Sequence, residues 1–243
     1  PTSSLRAVRQ RPNVVTLATP IHAGQRIIRR IAFDVGSRAS TQPPSILCLQ
    51  PCSSFVTVSG MPARFRERLA ELLKPYGVEV LQSMAGGRQV QFSGASLRPG
   101  AAFSVMLLSG DITSGATGTI TYRRGDRFLA FGHPFMGLGP LPAPACAAYV
   151  HDVYPLNSGS YKITTPGPAL GAVLQDRPFG VSGRAGKAPE TIPITVDVND
   201  ATTGRSKVYS MRAVPHPRLY AALVGLAVGS AVADIHSTPG PVT

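Results

Sequence analysis

GDITSGATGTITYRRGDRFLAFGHPFMG, residues 110–137, contains two β-prone runs, 118–123 and 127–131, on either side of Arg124-Gly125-Asp126. Glycine and aspartate between two such runs supply the chemistry of a tight hairpin turn. The second run ends at Gly132-His133-Pro134, where the chain turns sharply and holds an imidazole at a strand end. Working outward, 14–17, 26–35, 46–49, 55–58, 78–82, 89–92 and 102–109 read as strands before this block. After it, 147–153, 160–164, 170–175, 179–183, 190–198 and 207–213 read the same way, each short and bounded by Gly, Pro or Asp. The expected fold is mostly β, with the strands closing into a barrel.

Two helices interrupt the pattern. Ser59-Gly60-Met61-Pro62 opens the first, with Ser59 expected to cap it and Pro62 near its first turn, where a missing N–H costs least. Phe65, Leu69, Leu72 and Leu73 then fall on one face, Arg64, Glu67, Arg68 and Glu71 on the other, and Pro75 to Gly77 ends it. The second helix lies around 217–233; its apolar run is shorter than the ~20 residues a bilayer requires, so it reads as a packing element rather than a transmembrane span.

The chain has 243 residues, with 25 Gly, 23 Pro and no Trp, which suits a turn-rich β protein. Half of its net charge of +12 sits at the start, where Arg6, Arg9, Arg11, Arg26, Arg29, Arg30 and Arg38 face only Asp34 in residues 1–40. The organisation expected is a basic arm at 1–14, a β domain at 15–216 and a helix with a tail at 217–243. The arm is expected either to be solvated or, through residues 1–12, to hold the protein to an acidic partner or a larger assembly. Nucleic acid is disfavoured, because the aromatic residues show no aromatic-basic motif and there is no reading helix. Of the three cysteines, Cys48 and Cys52 have the spacing of a short-loop disulfide and Cys146 stands alone. No second Cys or His pair supplies the four ligands of a zinc site, so neither a metal nor another cofactor is expected.

Among the five histidines His133 stands out, since a rigid strand end can hold an imidazole as a general base toward a hydroxyl. The block around it resembles that of the sporulation-stage-IV-B (SpoIVB-type) serine peptidase family, in which a strand-turn-strand unit leads into a Gly-His motif. The resemblance runs through CAAYVHDVYPLNSGSYKITTPG (146–167) and LGAVLQDRPFGVSGRAG (170–186), and upstream through TVSGMPARFRERLAELLKPYGVEVLQ (57–82). It spans roughly 55–198, and AFGHP is its most specific part. It implies a serine endopeptidase on a trypsin-like double β-barrel, with His133 as base, a protein substrate or partner, and a place in the cell envelope or outside the cell.

One departure stands against this. Family members carry their nucleophile in Gly-Met-Ser-Gly-Ser-Pro, preceded by the acidic partner, and neither occurs here. In the long bacterial members that signature lies toward the N-terminus. The expectation is therefore either the histidine-bearing part of a processed peptidase or a degenerate homologue used for binding. Ser158 and Ser160, in Asn157-Ser158-Gly159-Ser160, are the substitute nucleophile candidates, and Asp111 and Asp152 are the acid candidates. Asp176 is expected to pair structurally with Arg177.

Overall fold

The computed structural model describes residues 13–33, 45–49, 54–83, 96–156 and 159–236. The chain forms two compact units, Pro1–Cys52 and Ser53–Thr243. In the first, β1 (Asn13–Ala23) and β2 (Arg26–Phe33) make an antiparallel hairpin, and β3 (Ile46–Leu49) runs parallel to β2. The arm at 1–12 and the strand expected at 89–92 lie outside the described residues, as does Cys52, whose spacing from Cys48 suits a short-loop disulfide.

The second unit begins with β4 (Ser54–Ser59), α1 (Ala63–Leu73) and β5 (Val78–Gln82), a parallel strand pair with a helical crossover. Leu69 and Leu73 are fully buried, as their spacing predicts, and Arg64, Glu67, Arg68 and Glu71 are exposed. The cap is different from the expectation: Ser59 is the buried last residue of β4, and Pro62 occupies the N-cap position with no side-chain bond. Next come β6 (Ala102–Gly110), β7 (Thr113–Arg124), β8 (Arg127–Ala130), β9 (Gly139–Leu156), β10 (Gly159–Arg177), β11 (Gly180–Ala185), β12 (Ile192–Asn199), β13 (Ser206–Ala213) and α2 (Tyr220–His236).

The sheet order is β12-β13-β6-β9-β10-β11-β8-β7-β4-β5, and an additional β6–β7 pairing joins two of its inner members. Six antiparallel strands, β6-β7-β8-β11-β10-β9, therefore close into a ring. Counted along the chain the order is 1-2-3-6-5-4, and β9 returns beside β6 as in a Greek key. The barrel expected from the sequence is thus present, as one ring among the described residues. The remaining strands continue from it as an open layer, β5-β4-β7-β6-β13-β12, against which α1 and α2 pack.

Two strands are longer than their sequence suggests. The expected strands at 160–164 and 170–175 are one strand, β10, whose register shifts around Pro166 absorb the prolines. β9 runs back through Pro140, Pro142 and Pro144, which strip the N–H groups from one edge. Pro144 and Pro140 still pair with β10, on either side of a register shift, whereas β6 meets β9 only over Ala145–Ala147. The β6 edge this leaves open is taken by β13, through Leu108 to Gly110.

Phe103, Ile120, Phe128, Leu141, Val173 and Val181 are buried in one continuous core with Val56, Leu69, Leu223 and Ala227. The C-terminal apolar run does form a packed helix, and no described helix is long and apolar enough to cross a membrane. A Cβ at Gly229 would stand 2.5 Å from the Phe65 ring, so glycine sets the α1–α2 approach. α2 is also tied to β13: the buried Tyr209 donates to Asp234 at 2.5 Å, and Lys207 lies 3.4 Å from the same carboxylate.

Burial, followed by the bond to Asp234, pushes the Tyr209 phenol well above its ordinary range, and that bond holds Asp234 below the usual carboxylate range. A raised tyrosine contributes stability that is present below the ordinary value of about 10 and lost as pH climbs past it. Tyr209→Phe should cost about 1 kcal/mol at neutral pH and flatten the alkaline fall in stability, as read by urea unfolding at neutral pH and near pH 11. Burial likewise pushes the Cys146 thiol up to about 12. Alkylation at mildly alkaline pH should therefore leave Cys146 unmodified until denaturant is added, with mass spectrometry as the readout.

Candidate functional site

β8 pairs with β7 and β11 and ends at Ala130, so the turn that follows starts from a strand fixed on both edges. Phe131 and Gly132 then both adopt left-handed backbone, at φ 70° and 77°. For phenylalanine this conformation costs on the order of 1–2 kcal/mol, and packing must hold it. Its ring lies over Gly118 on β7, where any Cβ would overlap it, and its centroid is 5.5 Å from Phe103 and 6.0 Å from Phe135. The Phe131 N–H is bonded to the Thr119 carbonyl at 3.1 Å.

Beyond the turn, a buried carboxylate fixes the loop. Asp176, on β10 and 1% exposed, accepts the N–H groups of Phe135 at 2.8 Å, Met136 at 2.7 Å and Leu138 at 3.3 Å. The expected ion pair with Arg177 is not formed; Arg177 bonds Gln175 instead, at 3.0 Å. Successive strand residues point to opposite faces, which sends Asp176 inward while Arg177 stays exposed.

His133 sits between these two anchors, partly exposed, with its ring 5.5 Å from Phe131. Its Nδ1 is 2.8 Å from the Pro134 carbonyl oxygen. A carbonyl can only accept, so Nδ1 carries a proton there, and in the neutral ring Nε2 has the lone pair. Ser54, the buried first residue of β4, donates to the same carbonyl at 3.1 Å and lies 3.5 Å from Nδ1. With its proton already committed, Nδ1 cannot receive another from Ser54, so this pair is not an activated nucleophile.

The other candidates are held elsewhere. Asp111 accepts the Ser210 N–H at 2.7 Å and fastens β13 to the β6–β7 turn. That turn is seven residues along β7 from Ile120, the partner of Ala130, or about 20 Å at strand rise. Asp152 is exposed and accepts from Val153. Ser158 lies outside the described residues, and the Ser160 backbone pairs with Pro155 in the β9–β10 hairpin. Among the described residues no carboxylate is within hydrogen-bonding reach of His133, and no three His, Cys, Asp or Glu side chains converge as metal ligands would.

Sequence reading finds His133 from its motif but misses Ser54, the Pro134 carbonyl and the part played by Asp176. Only the Gln175-Asp176-Arg177 turn hinted at the last of these. Asp176→Asn would set an amide N–H against backbone donors and should cost about 3 kcal/mol in urea unfolding. Gly118→Ala should displace the Phe131 ring and broaden the His133 ring resonances in an NMR spectrum of the folded protein. Compared with known proteins, the chain matches no family profile, no curated protein and no solved structure.

Proposed function

We propose that this chain carries the histidine half of a serine-peptidase-type site, with the nucleophilic serine supplied by a further polypeptide segment. The observation that carries the reading is the 2.8 Å contact of Nδ1 with the Pro134 carbonyl: an Nδ1–H spent there leaves Nε2 of the neutral ring as the acceptor a general base needs. The effort spent in fixing the loop supports it. A strained Phe131, a ring bed over Gly118 and a buried Asp176 all bear on the segment that holds one imidazole. In this reading His133 takes the hydroxyl proton of the incoming serine as its oxygen attacks a peptide carbonyl, then returns it to the leaving amine. The Pro134 carbonyl fills the orienting position that a carboxylate has in the usual triad, and it stabilises an imidazolium less.

A second reading has its own observation. The only hydroxyl beside His133 among the described residues, that of Ser54, donates into the Pro134 carbonyl and is not activated. That suits a barrel kept for binding, a non-catalytic subunit held to a larger assembly by its basic first residues.

A fluorophosphonate probe separates the two. The chain alone should not be labelled. The same chain joined to, or mixed with, a segment bearing Gly-Met-Ser-Gly-Ser-Pro should be labelled on serine, and His133→Ala should lower the labelling rate at least a hundredfold. Labelling that survives His133→Ala removes the histidine from the mechanism. No labelling under any of these conditions, with a partner lost from pull-downs when residues 1–12 are deleted, establishes the binding role instead.

A further inference from the structure

The outer face of the ring at β7, β8 and β11 carries an arrangement that folding alone does not favour. Arg124 pairs directly with Arg127, and Arg127 with Arg184, so three arginines lie in register across three strands, all exposed. Like charges directly opposite one another destabilise a sheet. A single carboxylate answers them: Asp126, at the hairpin tip, is 3.6 Å from Arg184. Arg124 and Arg127 have no ion-pair partner among the described residues. Two residues along the strands lies a second row in which Tyr122 pairs with Leu129, with Leu174 of β10 beyond. These side chains are 54%, 52% and 41% exposed, and the two rows line a groove of about 470 Å³.

We infer that this groove docks an extended, acidic segment of a partner protein, reading an acidic side chain and an apolar one two positions apart. The arginine row supplies forked donors for carboxylates, and each contact relieves the repulsion within the row. The rows are two residues apart on every strand, about 7 Å, which is also the separation of side chains i and i+2 in an extended peptide. A chain lying along the strands thus sets its acid on the arginines and its apolar residue against Tyr122, Leu129 and Leu174. The two-residue spacing of the rows, which an extended chain matches and a lipid surface does not, favours the peptide. The inference is independent of the His133 chemistry.

The test uses the full chain and a fluorescein-labelled octapeptide in which Glu and Leu alternate with Ser, followed by anisotropy. Binding should saturate, weaken as salt is raised, and fall about tenfold in Arg127→Gln and in Arg124→Gln, with a smaller loss in Leu129→Ser. The arginine variants should unfold at the same temperature as the parent or higher, because removing one arginine relieves the row. A peptide with Lys in place of Glu should not bind. Equal affinity in the parent and both arginine variants, or no binding of the Glu peptide at millimolar concentration, overturns the inference. So does retention on phosphatidylglycerol vesicles that needs Arg127 while the peptide fails to bind, which makes the face a membrane contact.

Discussion

Two strands, β6 and β7, belong at once to the closed ring and to the open layer, and the rest of the second unit depends on how they change partners. Along β7, Thr113 to Gly115 pair with β4, and Ile120 to Arg124 pair with β8. Along β6, Phe103 to Val105 pair with β9, and Leu108 to Gly110 pair with β13. At each handover one neighbour stops and another begins, so the barrel opens into a layer while β6 and β7 stay paired with each other. The helices then have a face to cover, and the buried residues form one core rather than two.

This handover also explains what was legible in the sequence. The hairpin at Gly125-Asp126, the amphipathic α1 and the mostly β composition are local properties, and they appear as expected. The joining of 160–164 with 170–175 into one strand is not local: it needs β9 and β11 alongside to stabilise a run containing Pro166 and Pro168. The long β9 was hidden for the same reason, since proline reads as a break until a neighbour is known to pair from the other side.

The site divides along the same line. His133 could be found because glycine and proline mark its turn in the linear sequence. Asp176 could not be assigned its role, because the three amides it holds lie some forty residues away and are brought to it by its pairing with Gly139 on β9 together with the β10–β11–β8 arrangement. Ser54 was missed because nothing in its own segment says that β4 begins beside the histidine turn. A base and its setting are therefore different kinds of information: the base is a residue in a motif, and the setting is a product of topology.

The three prolines of β9 have an effect beyond shaping the ring. An edge stripped of its donors offers no ladder to an approaching strand. Where β9 parts from β6, β13 takes the β6 edge and not the β9 edge, so it is proline at every second position that keeps the β9 edge closed to a strand from another molecule.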